Sequence, residues 1–244
     1  MTDPPRLVVM TANIANGLAD PERVASEVLG AGADLVGFQE VGGEQGERLA
    51  EALSATYPHL VVHERGIPGK AIFSRPPRLE ASPVEIARGR PDLMARVDAP
   101  GGPVRVVVAH PEPPRFGRGA MAQNVLSGEQ IRRLAEEVRG ADEPGLLLGD
   151  LNRVSWQRAA RALRDLGLID AWLAGGSGPG FTLPARWASG AQRGHPLGGF
   201  GLPPLARVDY VWHTPHFETE SAWLAGAAGS DHRPVVARLA RRTG

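Results

Sequence analysis

The sequence lacks cysteine, has a single lysine and carries no net charge. With no cysteine among 244 residues, disulfides, thiolate nucleophiles, iron–sulfur clusters and cysteine zinc sites are excluded. Any metal must be held by His, Asp, Glu, Asn or backbone oxygens, which favours hard cations. Because 27 basic residues balance 27 acidic ones, overall charge supports neither a nucleic-acid coat nor a polybasic membrane anchor.

Long apolar runs are also missing. No run approaches the ~20 residues needed to span a bilayer, and the segment from Met1 to Arg6 does not have the pattern of a signal peptide. We therefore expect a cytoplasmic protein with no integral membrane association. The composition, 42% hydrophobic and 22% charged, is typical of a folded protein. Because no repeat or linker divides the chain, we expect one domain over residues 1–244.

Apolar periodicity predicts alternating strands and helices, which indicates a layered α/β architecture. Buried strands are predicted at residues 7–10, 34–39, 70–74, 93–98, 104–109, 146–148, 208–213 and 235–239. The segments 93–98 and 104–109 flank a Pro-Gly-Gly turn and predict an antiparallel hairpin. A purely parallel sheet is therefore disfavoured, and we expect mixed sheets.

Capping residues predict where helices begin. Asp20 followed by Pro21 is a strong helix start, with a capping side chain and a proline in the first turn. Ser127 with Gln130 has the form of a capping box, which predicts a helix beginning there. Ser155 is expected to cap a further helix after the strand at 146–148.

Polar side chains that can bind metals, protons or phosphates lie at or beside the ends of the predicted strands. They are Asn13, Glu40, His110, Asp150, Asn152, Asp209, Asp231 and His232. Neighbouring strand ends can meet at one edge of a sheet, where ligands bind in open α/β proteins. All these groups handle metals, protons or phosphates, so we expect them to form one site.

Several of these residues also have a purely structural interpretation. Asn13 could cap a turn, and Asp150 could form an Asx-turn with the residues that follow. Glu40 could stabilise the start of a helix through its charge. Asp209 could form a salt bridge with Arg207. Each residue alone is weak evidence, and the complete ordered set is what favours a functional site.

The ordered motifs resemble the endonuclease/exonuclease/phosphatase superfamily, which has the fold of pancreatic deoxyribonuclease. The resemblance covers nearly the whole chain and rests on MTANI at 10–14, GFQEV at 37–41, KAIFSR at 70–75, VAH at 108–110, GDLN at 149–152, VDYV at 208–211 and SDHRP at 230–234. It implies an α/β four-layer sandwich, in which two mixed β-sheets pack face to face with helices on the outer faces.

The resemblance further implies metal-dependent hydrolysis of a phosphate ester. Glu40 would hold Mg²⁺ or Mn²⁺, with Asn13 or Asp231 as an additional oxygen ligand. Asp150 would orient and deprotonate the attacking water. Asn152 and Asn13 would donate to phosphate oxygens as negative charge develops on them.

Two histidines complete the implied catalytic set. His232, positioned by Asp209, would stabilise the phosphoryl oxygens, and His110 would be a second donor that contacts the substrate. The lead-in to His110 is Val-Ala where the family usually has Asn-Thr, so the local chain path is open. Ala15 stands where some nuclease branches have Asp, which predicts fewer carboxylates around the metal.

The substrate stays open at this stage, as a small-molecule, lipid-derived or nucleic-acid phosphate ester. A sequence-nonspecific endonuclease or exonuclease is the first alternative, and it requires a basic groove. Candidates for that groove are Arg115, Arg118, Arg186 and Arg193. Sphingomyelinase-type activity would favour exposed apolar loop tips, for which Trp187 and Phe200 are candidates. A noncatalytic phosphate-ester- or protein-binding module is a second alternative, disfavoured because no implied catalytic residue is missing.

Overall fold

A computed structural model describes residues 3–63, 66–87, 90–114, 117, 120–140, 143–185 and 204–242. Its strands are β1 (Arg6–Asn13), β2 (Leu35–Gln39), β3 (His59–His63), β4 (Lys70–Ser74), β5 (Arg78–Ala87), β6 (Arg90–Ala99), β7 (Gly102–Ala109), β8 (Gly145–Asp150), β9 (Ile169–Asp170), β10 (Asp209–His213), β11 (Phe217–Leu224) and β12 (Val235–Arg241). Its helices are α1 (Pro21–Ala31), α2 (Gly43–Leu53), α3 (Ala120–Arg139), α4 (Arg158–Asp165) and α5 (Ala171–Gly175).

The strands form two six-stranded mixed sheets. The first has the order β11-β12-β1-β2-β4-β3 and the second β5-β6-β7-β8-β10-β9. Each sheet contains one parallel pair, β1 with β2 and β7 with β8, and its other pairs are antiparallel. The predicted hairpin is confirmed as β6–β7. The expected four-layer α/β sandwich is also confirmed.

Alternation along the strands builds three apolar layers. In β7, Val106 and Val108 face the first sheet and join the central core, whereas Val107 packs against the helices α3 and α4 on the outer face. Val9 of β1 lies in the central core, and Met10 packs on the side of α1 and α2. Each such buried side chain contributes roughly 1.5–3 kcal/mol, so the period-two pattern fixes the register of both sheets.

Two glycines allow the close packing that this arrangement requires. A Cβ on Gly37 of β2 would lie 2.6 Å from Val108 Cγ2 in the opposite sheet. A Cβ on Gly149 of β8 would lie 2.0 Å from the Ala109 carbonyl oxygen in the neighbouring strand. Both distances are too short for any real side chain, and both glycines directly precede segments that carry candidate functional groups.

One of the three predicted helix starts is confirmed. Asp20 caps α1 and accepts a hydrogen bond from Arg23 N–H. Ser127 does not begin a helix, because α3 already starts at Ala120; its hydroxyl instead donates to Glu112 O at 3.1 Å. The prediction for Ser155 is also wrong, since the cap of α4 is Gln157.

Strands β3, β5, β9 and β11 were not expected from the sequence, and each lies at an edge of its sheet. All five residues of β3 are half-buried, and both β3 and β11 lie at edges of the first sheet. The candidates for a basic groove and for apolar loop tips, Arg115, Arg118, Arg186, Arg193, Trp187 and Phe200, all lie outside the described residues. Across the described part of the chain, no helix has the length and apolar character to cross a membrane.

Candidate active site

Strand ends from both sheets supply one cluster of polar side chains. Asn13 ends β1 and Glu40 follows β2 in the first sheet, while Asp150 ends β8 and Asp209 begins β10 in the second. Asp150 and Asp209 are register partners across the β8–β10 ladder. His110 follows β7, so the expected meeting of these strand ends is what the fold produces.

Asn13 connects the two sheets within this cluster. Its Nδ2 lies 3.2 Å from Glu40 Oε1 and 3.2 Å from Asp150 Oδ2. Its Oδ1 accepts the Ala15 N–H at 2.9 Å, which fixes the orientation of the amide. The amide of Asn13 is therefore presented to Glu40 and Asp150 as a donor, while its oxygen keeps one lone pair beyond the hydrogen bond from Ala15.

Glu40 and Asn152 have backbone conformations that side chains rarely adopt. Their φ angles are +55° and +52°, in the left-handed region, where a residue with a side chain carries a conformational cost. Such strain persists only when the surroundings enforce it, and it concentrates at functional sites. The Glu40 carboxylate is directed to Asn13 in the site.

Asp150 makes a turn and also faces the cluster. Its Oδ1 accepts the Asn152 N–H at 2.8 Å, which is the Asx-turn that the sequence allowed. Its Oδ2 lies 3.2 Å from Asn13 Nδ2, 3.5 Å from His110 Nε2 and 3.8 Å from His232 Nε2. The structural and the functional interpretation of Asp150 therefore hold together, because they use different oxygens.

His232 is paired with Asp209. The ring Nδ1 donates to Asp209 Oδ2 at 2.8 Å, and the His232 backbone N–H donates to Ser230 Oγ at 3.0 Å. Ser230 in turn donates to Asn13 O at 2.7 Å, so the histidine loop is tied to the end of β1. Sequence reasoning gave Ser230 no role, although it lies in the quoted SDHRP motif.

The alternative partner for Asp209 is contradicted by the structure. Arg207 forms a buried pair with Asp170, with N···O distances of 2.7 and 2.9 Å, and its guanidinium lies over the Tyr210 ring. Asp209 is left to His232, and its second oxygen, Oδ1, is buried with no hydrogen-bond partner. A lone buried carboxylate oxygen of this kind is costly unless a proton or a ligand reaches it.

His110 lacks a carboxylate partner of this kind. Its Nδ1 lies 3.3 Å from the Ile67 carbonyl oxygen, and since a carbonyl can only accept, Nδ1 carries the proton. Its Nε2 lies 3.5 Å from Asp150 Oδ2 and 3.7 Å from Glu40 Oε1. These separations are too long for direct hydrogen bonds, so Nε2 stays available to a bound molecule.

The two histidines have opposite pKa shifts. Burial lowers the pKa of His110 to about 4. Burial also acts to lower the pKa of His232, but the charges of Asp209 and Asp150 outweigh it and raise the pKa to about 10. At neutral pH the site therefore holds one neutral imidazole and one imidazolium.

Two acidic groups at the site, Glu40 and Asp150, are disfavoured as anions. Burial raises the pKa of Asp150. Burial also raises the pKa of Glu40, and the nearby charges of Asp150 and Asp231 add to that rise. Asp231 itself is half-buried beside His232. Carboxylates held close together in this way favour a cation between them.

The donor set fits a hard divalent cation. Glu40 and Asp231 offer carboxylate oxygens, the ligand type that Mg²⁺ and Mn²⁺ prefer. A separate group, Asp150, Asp209 and His232, also has its donor atoms within 4.8 Å of one another. Its imidazole is bonded to Asp209 through Nδ1, and in the metal-free protein its raised pKa favours the protonated ring, so we interpret this group as a proton-holding unit.

A cavity of about 280 Å³ has five of the candidate site residues in its wall, Glu40, His110, Asp150, Asn152 and His232, whereas Asn13, Asp209 and Asp231 do not line it. Beside it lies a cavity of about 310 Å³. Arg90 and Glu112 line both cavities, and the Arg90 Nε is buried with no hydrogen-bond partner. Sequence reasoning assigned no role at the site to Arg90.

The chain belongs to the Endonuclease/Exonuclease/phosphatase family, whose model matches residues 10–232. Members of the family hydrolyse phosphate esters and generally use divalent metals. The family resemblance found in the motifs is therefore confirmed. A sequence comparison with curated proteins found no match.

Solved structures show the same fold. An endonuclease/exonuclease/phosphatase from Beutenbergia cavernae is 26% identical, with a TM-score of 0.76 over 97% of this chain and 72% of that one. TDP2 from D. rerio, complexed with a single-strand DNA product, is 18% identical, with a TM-score of 0.76 over 96% and 98% of the chains. Sphingomyelinase C from Streptomyces griseocarneus is 20% identical, with a TM-score of 0.65 over 96% and 99%.

Proposed function

We propose that this protein is a divalent-metal-dependent hydrolase of phosphate esters, a phosphodiesterase or phosphatase that acts as one catalytic domain. The observation that carries the proposal is the position of Asp150 Oδ2, which has the Asn13 amide and the rings of His110 and His232 within 3.8 Å. Asp150 can act as a base here, with the Asn13 amide as a donor and the protonated His232 ring as a fixed positive charge beside it. This arrangement suits attack of water on an anionic ester.

Asp150 takes the proton from the attacking water in this proposal. Its raised pKa makes the carboxylate a better proton acceptor than an exposed aspartate. The Asx-turn to Asn152 holds one oxygen in place, so the other keeps a fixed direction into the cavity. The amide of Asn13 restrains that second oxygen with one hydrogen, and the hydrogen that it directs to Glu40 would turn to a phosphoryl oxygen when Glu40 binds the metal.

The remaining side chains stabilise negative charge on the phosphoryl group. The His232 imidazolium, oriented by Asp209, presents a full positive charge in a buried setting, where electrostatic interactions are strong. His110 gains a proton at Nε2 when an anion occupies the cavity and then donates to it. Asn152 donates one amide hydrogen to Pro111 O at 3.0 Å, which leaves its second hydrogen for the substrate.

Glu40 would hold Mg²⁺ or Mn²⁺, with Asp231 or Asn13 as the additional oxygen ligand. When bound, the ion would neutralise charge on the phosphoryl group and polarise its ester bond. The protein's own contribution is to keep Glu40 in a strained left-handed conformation, so that its carboxylate is already placed before the ion arrives. A cytoplasmic location, expected from the sequence, stays a prediction.

The ester's organic group has space beside the catalytic cavity. The neighbouring cavity is lined by apolar Ile86, Ala87 and Leu126 together with charged Glu129 and Arg133, and it shares Arg90 and Glu112 with the first. The similarity to TDP2 with bound single-strand DNA product keeps a nuclease as the second candidate. A panel of duplex DNA, single strands, sphingomyelin, inositol phosphates and nucleotides, assayed with Mg²⁺ and with Mn²⁺, separates these substrates.

The roles of Glu40 and Asp150 are tested by comparing two conservative variants. Glu40→Gln weakens metal binding, so its activity on bis(4-nitrophenyl) phosphate is expected to recover partly as Mn²⁺ is raised. Asp150→Asn removes the base and is expected to bind Mn²⁺ normally while losing about 10²–10⁴-fold in turnover at every Mn²⁺ concentration. Calorimetric titration of Mn²⁺ and steady-state kinetics give the two measurements.

Two results would contradict this assignment. Equal rescue of both variants by Mn²⁺ would place Asp150 among the ligands rather than at the water. Absence of turnover by the unsubstituted protein across the whole substrate panel would favour a noncatalytic binding module. Thr219→Val, at a half-buried hydrogen bond to His213, serves as the control for loss of a side-chain hydrogen bond outside the site.

A further inference from the structure

The one lysine of the chain is buried between the two sheets. Lys70 begins β4 of the first sheet, and its side chain is fully buried. Its Nζ donates to Pro68 O at 3.0 Å and to Pro91 O at 2.9 Å. It also lies 3.6 Å from Asp92 Oδ1. Since Asp92 belongs to β6 of the second sheet, this ion pair links the two sheets near the candidate active site.

Asp92 carries the link onward to the catalytic cavity. Its Oδ1 accepts the backbone N–H of His110 at 3.2 Å. Its Oδ2 accepts Gln130 Nε2 at 3.2 Å, which attaches the network to α3. The carboxylate therefore fixes the backbone at the point where β7 ends and the His110 side chain enters the cavity.

Lys70 restrains the same histidine from the other sheet. Pro68 O, to which Lys70 donates, belongs to the residue next to Ile67. The Ile67 carbonyl is the group that meets His110 Nδ1 at 3.3 Å. The ion pair thus holds both the backbone of His110 and the carbonyl that orients its ring.

Stability alone does not account for a buried lysine at this position. A buried ion pair often contributes no more than well-packed apolar residues of the same volume, because both charges must be desolvated. All 26 other cations among the 27 basic residues are arginines, whose planar guanidinium cannot direct its donors as a compact ammonium does. At Lys70 the ammonium reaches two carbonyls and one carboxylate together.

We propose that Lys70 and Asp92 are positioning residues that hold the His110 ring in the catalytic cavity by fixing the two sheets to each other beneath it. The proposal rests on the proposed function, in which His110 acts on the phosphoryl group. Neither residue lines the catalytic cavity, so both would act through His110.

The first test observes the ring itself and needs no turnover. Replacing both charges in Lys70→Met/Asp92→Asn avoids leaving one buried charge without its partner. In the full chain labelled with nitrogen-15 histidine, His110 of the unsubstituted protein is expected to show a single tautomer with the proton on Nδ1. In the double variant its two ring nitrogens are expected to shift towards tautomer-averaged values, while the ring signals of His213 stay unchanged.

The second test measures the consequence for catalysis. With bis(4-nitrophenyl) phosphate and Mg²⁺, the double variant is expected to lose about 10–100-fold in kcat, the range for residues that orient a functional group, with little change in KM. In a His110→Ala background the same two substitutions are expected to cost nothing further, because the group they position has gone. An equal loss in both backgrounds would show a general structural effect and overturn the proposal.

A milder variant covers the case in which the double variant does not fold. Gln130→Met removes only the amide that bonds Asp92 Oδ2, and it is expected to shift the His110 signals in the same direction by a smaller amount. Thr219→Val is the matched control, since it removes a half-buried side-chain hydrogen bond of another buried histidine, His213. Unchanged His110 signals in the folded variants would overturn the proposal, whereas absence of turnover in the unsubstituted protein would contradict the proposed function and leave this spectroscopic test intact.

Discussion

Two buried histidines approach the same oxygen of Asp150 and carry different charges. His232 reaches it from the loop before β12 in the first sheet, and His110 from the end of β7 in the second. Both are almost fully removed from solvent. The pKa of His232 is raised to about 10, whereas that of His110 is lowered to about 4.

The difference comes largely from the group that faces Nδ1 of each ring, and the nearby charges of Lys70 and Arg90 further lower the pKa of His110. His232 meets the carboxylate of Asp209, whose charge compensates for burial of the cation. His110 meets the neutral carbonyl of Ile67, which fixes the tautomer and gives far less compensation for charge. Burial alone therefore does not decide the charge of an imidazole; the group behind the ring does.

The largest expected effect is loss of the charged histidine. His232→Ala is expected to lower turnover by about 10²–10⁴-fold, because a positioned charge next to the phosphoryl group disappears. Asp209→Ala is expected to cost less, since a misoriented neutral ring remains. The double variant is expected to be little worse than His232→Ala alone. Steady-state kinetics on one phosphodiester gives all three values.

If the turnover losses of His232→Ala and Asp209→Ala multiplied in the double variant, Asp209 would have a role that does not depend on His232. That result would contradict the pairing of the two residues. Arg207→Met provides a control, since Arg207 lies two residues from Asp209 and binds Asp170 outside the proposed chemistry. Arg207→Met is expected to lower the free energy of unfolding and to have little effect on turnover.

A smaller loss of turnover is expected when the neutral histidine, His110, is replaced. His110→Ala is expected to reduce turnover by about 10²–10³-fold, the range for one donor to developing negative charge. The tautomer set by Ile67 predicts that His110 becomes a donor only when an anion binds. Titration of the histidine signals with inorganic phosphate checks this: the pKa of His110 should rise on binding while His232 stays protonated throughout. If the pKa of His110 did not change when phosphate binds, His110 would not be a residue that contacts the substrate.

The smallest effect is on stability, and it has opposite signs for the two rings. The folded pKa of His110 lies below the ordinary value of 6.5, so its contribution is present above about pH 6.5 and is lost as pH falls towards 4. The folded pKa of His232 lies above 6.5, so its contribution is present below about pH 6.5 and is lost as pH rises towards 10. These two groups predict maximal stability near pH 6.5, falling by at least about 1 kcal/mol on each side.

Urea unfolding of the metal-free protein between pH 5 and 9 measures both slopes. His110→Gln is expected to flatten the acid side alone, and His232→Gln the alkaline side alone. If both variants changed the same side, the assignment of opposite charges to the two rings would be wrong.

Much of the fold was predictable because it depends on local patterns. Strand β4 at Lys70–Ser74 matches its predicted bounds, and Asp20 marks the start of α1 as its side-chain chemistry requires. The polar residues at strand ends were identifiable because each breaks an apolar run. Their convergence follows from the order of the strands in the two sheets.

The interpretations that failed depend on contacts between distant parts of the chain. Ser127 has the local pattern of a helix cap, but its hydroxyl bonds Glu112 and the helix begins earlier. The partner of Asp209 could not be chosen from the sequence, because the choice depends on Asp170. Asp170 binds Arg207 and so leaves His232 as the partner of Asp209. No periodicity in sequence could show that Lys70 and Asp92 meet.

The burial of Lys70 has a practical chemical consequence. The only ε-amino group among the 244 residues lies between the sheets at 0% exposure, so an acylating reagent should leave Lys70 of the folded protein unmodified. Amine-reactive dyes should label Lys70 only when the sandwich separates. Counting labels by mass spectrometry would then report how often the two sheets part, with no engineered probe.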